Sequence, residues 1–315
     1  MLACVYSNKT KNSVASNSDI TFRGIAASAG EWWAYGSGIL IRSVDGKRWK
    51  DTAGYYNFPG SFTVCEIVEG VNGTFVFSRS EHGLLCHEIL RGSEICKVVS
   101  LVPSASASVS GVFIRQGIMM CVKESGSARF LQYDPAANRW IRLPSKIKGV
   151  PVYFQIDENG YGVCALWGTD RPQRINEATT SAIYCTFDYC RSWEKVQDMD
   201  TMLLVGSATP DQKVLVGGTE SFVAEGDCSG FASCFDSSPG SIIAISSGCS
   251  QLAVIHDSDE EPAKNTLLWR NGRDNWRKYG LDLSERIGDI GIIDFGQYLL
   301  CTVSSVYLGN VDVIH

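Results

Sequence analysis

The sequence predicts an all-β protein, a β-propeller of seven four-stranded blades, and two observations lead to this fold. No window of a dozen residues carries apolar side chains at i, i+3, i+4 and i+7, so the helical period is almost absent. Short apolar or alternating runs bounded by Gly, Asn, Asp and Ser recur instead, in sets of four. A four-strand unit repeated every ~40–50 residues is typical of a propeller blade.

The spacing of the third runs sets the repeat length and the blade boundaries. One antiparallel sheet cannot bury both of its faces, so neighbouring blades are expected to stack. Six blades is the rival count, if 61–102 or 201–239 is not a complete blade. The third runs begin at Gly38, Gly83, Phe130, Ala182, Ser221, Thr266 and Ser305. The prediction is one domain, 1–315, with blades at 22–58, 61–102, 108–146, 149–200, 201–239, 241–283 and 287–315.

The first residues offer a strand for closing the ring. The run LACVYS at 2–7 is apolar, strand-like and outside the seven sets. After the last third run the tail 310–315 can supply only one short strand past a Gly-Asn turn. We therefore expect residues 1–7 to pair with the last blade as a latch.

Composition and charge exclude two classes of partner. The chain has 315 residues, of which 20% are charged and 44% are apolar, as in a packed globular protein. Its formal net charge is −6 and it has no run of basic residues, which argues against nucleic acid as a partner. No apolar stretch reaches the roughly 18 residues of a membrane span, so we expect no membrane insertion.

The twelve cysteines predict buried thiols rather than a disulfide framework. Cys behaves as a small hydrophobe when it lies within an apolar strand. The start of the sequence has no signal-peptide pattern, so cytoplasmic synthesis and reduced thiols are expected. The cysteines inside apolar runs are Cys65, Cys86, Cys121, Cys164, Cys185 and Cys301.

Several turns between third and fourth runs share a form. The two clearest are Ser43-Val-Asp45-Gly46-Lys-Arg-Trp49 and Thr186-Phe-Asp188-Tyr-Cys-Arg-Ser-Trp193, and degenerate copies lie at 133–140 and 271–276. An Asp in a tight turn accepts backbone N–H bonds, and Gly takes the positive φ. The Trp that follows is expected to bury its ring between blades. This chemistry is structural.

These turns resemble the Asp-box, or BNR repeat, Ser/Thr-x-Asp-x-Gly-x-Thr-Trp, of sialidase-like β-propellers. The resemblance places the box at the turn between the third and fourth strands of a blade, which matches its position here. A compact propeller of this type, rich in Cys and without a signal peptide, also resembles non-catalytic components of phage tails and virions.

The sialidase resemblance implies a catalytic set that is only partly present. In that family three Arg hold the substrate carboxylate, a Tyr–Glu pair supplies the nucleophile, and an Asp acts as acid and base. Among the innermost runs only Arg23 and Arg115 are Arg. A carboxylate clamp needs Arg forks that converge on one point. These two residues are therefore the candidate glycan pocket of the alternative function, and no catalytic residue is assigned.

Two insertions between second and third runs are the candidate partner loops. Loops longer than the fold requires are more often functional than tight turns are. The acidic second loop lacks the spaced ligands and Gly of a Ca²⁺ loop, and the His and Cys residues lack zinc spacing, so no metal and no cofactor is predicted. The first loop carries Asp170, Arg171, Arg174 and Glu177, and the second carries Asp257, Asp259, Glu260 and Glu261.

The sequence therefore predicts a non-catalytic binding or assembly propeller, a structural component of a larger complex such as a phage tail or virion. Its partners would be proteins. The alternative is a sialidase-related protein that binds or hydrolyses a glycan. An assembly factor for a membrane complex ranks third, because no targeting segment is visible.

Overall fold

The computed structural model describes the chain at 2–7, 20–53, 56, 58, 62–70, 73–80, 83–91, 96–102, 109–114, 117–134, 136–168, 181–236, 239–272, 274–294 and 296–311. All regular structure in these residues is β-strand. The described residues include no helix with the length and hydropathy needed to cross a membrane. The chain divides into two compact units, 1–101 with 246–315 and 102–245.

Unit 1 contains the first two and the last two sets of strands. The first set comprises β2 (Thr21–Ser28), β3 (Glu31–Ser37), β4 (Ile39–Ser43) and β5 (Lys50–Asp51). The second comprises β6 (Thr63–Glu69), β7 (Gly73–Ser80), β8 (Gly83–Leu90) and β9 (Cys96–Val102). One antiparallel pair, Ser37 with Thr63, joins these two sets into an eight-stranded sheet.

The remaining sets of unit 1 are four-stranded sheets. One runs β22-β23-β24-β25, with β22 (Ser241–Ser247), β23 (Gln251–Asp257), β24 (Lys264–Arg270) and β25 (Arg277–Leu281). The other runs β1-β28-β27-β26, with β26 (Ile287–Asp294), β27 (Gln297–Thr302), β28 (Ser305–Asn310) and β1 (Leu2–Ser7). The N-terminal strand thus lies antiparallel to β28, where Leu2 faces Gly309 and Ser7 faces Ser305.

Unit 2 contains three four-stranded antiparallel sheets. The first is built from β10 (Val109–Ile114), β11 (Gly117–Glu124), β12 (Ser127–Asp134) and β13 (Arg139–Lys148). The second is built from β14 (Val150–Ile156), β15 (Gly162–Trp167), β16 (Ser181–Thr186) and β17 (Glu194–Met199). The third is built from β18 (Leu203–Ala208), β19 (Val214–Gly218), β20 (Val223–Asp227) and β21 (Gly230–Phe235).

The described strands therefore form seven four-stranded sets: six take four consecutive strands, and the seventh combines β26, β27 and β28 with β1. The two stretches that carried the six-blade alternative each hold four strands, β6–β9 and β18–β21. Strands such as β15 and β19 are nearly continuous apolar runs because almost all of their residues are buried, whereas β13 and β17 are largely exposed.

Apolar side chains fill the spaces between consecutive sheets within each unit. In unit 1 the ring of Trp33 and the side chains of Leu40 and Val76 lie between the first and second sets and are almost fully buried. In unit 2 Phe130 and Phe154 pack between the first two sheets with ring centroids 5.6 Å apart. These sheets are therefore stabilised by burial against each other.

A β-bulge interrupts the pairing of the first strand with the second in five of the sets. The pairing shifts by one residue between Phe22 and Gly24, Val64 and Glu66, Pro151 and Tyr153, Leu203 and Val205, and Ile287 and Asp289. The extra residue in a bulged strand changes the direction in which the following side chains point. Residues 24, 66 and 289 are thereby placed at equivalent positions of their strands.

The expectation that the cysteines are all reduced is wrong for Cys185 and Cys228, which form a disulfide with Cα atoms 5.6 Å apart. Cys185 lies on β16 and Cys228 in the turn after β20, so neighbouring sheets bring together residues 43 positions apart. No sequence spacing marks such a pair. The other ten cysteines are free thiols.

Candidate functional site

The first box turn is held by the carboxylate of Asp45. Its Oδ1 accepts hydrogen bonds from the backbone N–H groups of Lys47 and Arg48, both at 2.8 Å, and from the Ser43 hydroxyl at 3.1 Å. These bonds lower the pKa of Asp45 to about 2. Gly46 takes a φ of 69°, and the indole N–H of Trp49 donates to its carbonyl at 3.1 Å.

The second box turn has the same arrangement around Asp188. Its carboxylate accepts from the backbone N–H groups of Arg191 and Ser192, both at 2.9 Å, and from the hydroxyls of Thr186 and Ser192. The pKa of Asp188 is lowered, because these hydrogen bonds outweigh the loss of hydration. Trp193 then stacks on Phe130 of the neighbouring sheet, with ring centroids 4.6 Å apart. Both turns serve packing and offer no reactive group.

The structure describes only the second of the two predicted partner loops. Asp170, Arg171, Arg174 and Glu177 lie outside the described residues. The second loop is the hairpin between β23 and β24. There the Asp257 carboxylate accepts from the backbone N–H of Asp259 at 3.1 Å, and Glu260 pairs with Lys264. Glu260 and Glu261 are exposed, so this loop forms an acidic, solvated tip.

A part-buried carboxyl pair, which the sequence did not predict, lies on the first strands of unit 1. Strand β2 contacts both β6 and β26, which carry Glu66 and Asp289. Asp289 accepts hydrogen bonds from the backbone N–H groups of Ile25 at 3.0 Å and Ile290 at 2.9 Å. The phenol of Tyr35, whose pKa both carboxylates raise, lies over Gly24, where an added Cβ would stand 2.4 Å from the Tyr35 hydroxyl oxygen.

The two carboxyls differ in proton affinity. Burial raises the pKa of Glu66 to about 8, and the charge of Asp289 contributes to that rise. Burial raises the pKa of Asp289 to about 6, opposed by its two backbone hydrogen bonds. Burial and both carboxylates raise the pKa of Tyr35. At neutral pH one carboxyl is therefore protonated and the other ionised, the split that acid–base pairs use.

One of the two predicted inner arginines lies near Cys65, the chain neighbour of Glu66. Arg23 is exposed and occupies the bulge of β2. Burial raises the pKa of the Cys65 thiol next to Glu66, and the charges of Arg79 and Arg23 oppose that rise. Arg115 lies outside the described residues. The described chain thus brings one predicted Arg, one Tyr and two carboxyls into the same neighbourhood.

A cavity of 330 Å³ lies in unit 2, among the turns β14–β15, β16–β17, β18–β19 and β20–β21. Tyr161 and Phe187 line it with rings 51% and 49% exposed, and their centroids are 5.6 Å apart in an edge-to-face arrangement. Phe187 is the central residue of the second box turn, between Thr186 and Asp188. Other lining side chains are Asp157, Asp211, Asp227 and Cys228.

Hydrogen bonds within and between turns fix this cavity. The Tyr189 hydroxyl donates to the carbonyl of Glu158 at 2.9 Å, which ties the β16–β17 turn to the β14–β15 turn. The disulfide Cys185–Cys228 ties β16 to the β20–β21 turn. The cavity is therefore largely formed before any ligand arrives, as binding pockets are.

Metal binding finds no support in the described part of the chain, which contains no group of three or more His, Cys, Asp or Glu arranged to hold an ion. His87 is buried, and its imidazole lies 3.2 Å from the Ser78 hydroxyl and 3.6 Å from the Cys96 thiol. Burial lowers its pKa to about 4. His87 is a neutral core residue at physiological pH.

Comparison with known proteins reveals the fold and no family. No protein-family model matches the chain. A search of curated proteins finds no match either. Solved structures do match along almost the whole length at low identity, which shows the fold alone.

Three such structures illustrate the likeness. YCF48 bound to D1 peptide is 12% identical, with 99% of this chain and 94% of that chain covered and a TM-score of 0.65. The RRP9 WD40 repeats are 11% identical, with 98% and 97% covered and a TM-score of 0.65. Streptogramin B lyase is 10% identical, with 98% and 97% covered and a TM-score of 0.67. The predicted fold class is confirmed: the chain is a β-propeller.

Proposed function

We propose that this propeller is a non-catalytic binding module that holds a protein partner as a structural component of a larger complex, such as a phage tail or virion. One observation carries the proposal. The cavity in unit 2 exposes half of two aromatic rings, Tyr161 and Phe187, on turns that the box residues and a disulfide hold in place. Exposed aromatic rings on a rigid surface are typical anchors of protein interfaces.

The fold also supports a binding role. Propellers commonly present turns and loops as docking surfaces, although fold alone does not dictate function. Among the similar structures, YCF48 is seen with a peptide bound. The placement in a phage tail or virion rests on the resemblance of this compact, Asp-box-like chain to such components.

Site-directed photocrosslinking tests the proposal. A benzophenone amino acid would replace Phe187 in the cavity or, as the matched control, Ile141, a 40% exposed residue of β13. In cells or particles that contain the native complex, we expect position 187 to yield one discrete crosslinked protein and position 141 to yield none. Equal, diffuse labelling from both positions would overturn the proposed docking surface.

A second candidate function, favoured by the carboxyl pair of unit 1, is binding or hydrolysis of a glycan. Glycoside hydrolysis uses two carboxyls with separated pKa values, and Glu66 at about 8 and Asp289 at about 6 meet that requirement. Arg23 would bind an acidic group of the sugar. With fluorogenic sialosides and a glycan array, Arg23→Ala and Glu66→Gln should abolish turnover or binding. Wild-type protein without either activity would exclude this function.

A further inference from the structure

We propose that the cavity of unit 2 receives an arginine side chain from a basic segment of the partner protein. The inference rests on the proposed function and names the chemistry of its partner. Two independent features of the cavity carry it, the exposed aromatic rings and the sign of the surrounding charges.

The aromatic rings supply the first feature. Tyr161 and Phe187 stand edge to face at an interplanar angle of 78°, so the face of one ring stays open beside the edge of the other. Ring faces attract cations within about 6 Å of the centroid, and a guanidinium stacks on them better than an ammonium does. Burial of the apolar part of a long side chain against the same rings adds to the affinity.

The charges supply the second feature. The ionisable side chains that line the cavity among the described residues are the carboxylates of Asp157, Asp211 and Asp227, with Tyr161, and they include no Lys, Arg or His. Hydrogen bonds from the side chain and then the backbone of Ser229 lower the pKa of Asp227, which is therefore ionised at neutral pH. A cation entering this site meets three carboxyl groups.

The carboxylates are held in position by their own turns. Asp157 accepts hydrogen bonds from the backbone N–H groups of Asn159 and Tyr161 at 2.8 and 2.9 Å. Asp211 accepts from the hydroxyl of Thr209. Lys213 does not line the cavity; its ammonium lies 3.8 Å from Glu225, and its charge also lowers the pKa of Asp227. These contacts fix the carboxylates before binding, which reduces the entropy cost of binding.

The size of the cavity fits one long side chain. Its volume of 330 Å³ lies at the lower end of the ~300–1,000 Å³ range of ligand pockets. A planar guanidinium can stack on a ring and also direct forked N–H donors toward two carboxylates, which an ammonium cannot do. Arginine is therefore the side chain that uses both features of the site.

Titration of the full-length protein with capped peptides tests the inference by isothermal calorimetry. The probes are three Gly-spaced peptides that carry arginine, lysine or the neutral isostere citrulline. We expect the arginine peptide to bind at least about tenfold more tightly than the citrulline peptide, with the lysine peptide between them. Equal binding of the arginine and citrulline peptides would overturn the inference.

Two charge-matched triple variants separate the cavity from general electrostatics. Asp157→Asn, Asp211→Asn and Asp227→Asn keep the Oδ1 acceptors of the turns and remove the three charges. Asp45→Asn, Asp134→Asn and Asp259→Asn make the same change in net charge outside the cavity. The first triple variant should bind the arginine peptide at least about tenfold more weakly, and the second should bind it as wild type. Equal loss in both would contradict the assignment.

A last comparison distinguishes the inference from the function on which it rests. If the cavity triple variant remains in the native complex as wild type does, the cationic occupant is wrong and the binding function stands. If wild-type protein occurs without any partner, both are wrong. Phe187 is half-exposed, so Phe187→Ala should leave the chain folded. It should lower the affinity for the arginine peptide because it removes one of the two rings.

Discussion

The phenol of Tyr35 occupies the space that a side chain at residue 24 would fill, since a Cβ built on Gly24 would stand 2.4 Å from the Tyr35 ring. Residue 24 follows the bulge of β2, as Glu66 follows the bulge of β6 and Asp289 that of β26. Glycine at this position thus leaves room for a phenol from the second strand, whose pKa the carboxylates of the flanking first strands raise.

Gly24→Ala should therefore destabilise the protein. The added methyl group overlaps a buried ring, and overpacking of this kind costs about 1–3 kcal/mol. Gly280→Ala is the matched control, because a Cβ there meets nothing within 4 Å on an exposed part of β25. Urea unfolding measures both variants. A Gly24→Ala protein as stable as the Gly280→Ala protein would show that Tyr35 moves aside freely.

Glu66→Gln should flatten the pH dependence of stability. The folded chain holds the Glu66 proton more tightly than the unfolded chain does, with a pKa of about 8. The stability that this proton contributes is therefore complete below pH ~4 and is lost as pH rises through about 8. The variant should be about 2–4 kcal/mol more stable than wild type at pH 9 and little different at pH 4.

Thermal unfolding between pH 4 and 9 measures this effect, with Glu194→Gln on the exposed strand β17 as the control. Parallel stability curves for Glu66→Gln and wild type would contradict the raised pKa.

Trp193→Ala should weaken the contact between the first two sheets of unit 2. Its indole stacks on Phe130 at 4.6 Å and packs near Phe154 at 6.3 Å. Removing it leaves a cavity between the sheets and should cost about 2–4 kcal/mol. Trp193→Phe keeps a stacked ring and should lose less than half of that. Chemical denaturation distinguishes them, and equal losses would mean that stacking contributes little.

Deletion of residues 1–7 should lower the melting temperature by many degrees. Strand β1 pairs with β28 along its length, and Tyr6 packs edge to face on Phe22 with centroids 5.9 Å apart. Without β1 the backbone groups of β28 are left as an open sheet edge. Cys4→Ser, a change at an exposed position of the same strand, should leave the melting temperature unchanged. An unaltered melting point after the deletion would exclude a closing role for this strand.

The blade pattern was predictable from the sequence because it depends on local features. Apolar runs such as the one that forms β15 alternate with turn residues, and four of the sets carry a Trp near the fourth strand. The repeat of apolar runs remains visible although individual residues vary, because a buried strand requires apolar side chains and no particular one. The paired Asp45 and Asp188 turns helped for the same reason, since their hydrogen bonds join residues two to four positions apart.

The candidate sites were not predictable in the same way because they join distant positions. Bulges bring Glu66 and Asp289 to equivalent positions, and no local motif marks a bulge. The one available signal was an acidic residue inside an otherwise apolar first strand. The cavity combines Tyr161 and Phe187 from two turns with carboxylates from two more, and the disulfide of Cys185 depends on the same packing of sheets.

The most direct test of the proposed binding function is sedimentation of the protein from its native source, with mass spectrometry of the proteins that travel with it. The proposal predicts that the chain sediments within a large complex and that a fixed set of neighbours accompanies it. A chain that sediments as a free monomer of 34.4 kDa would contradict the proposed role.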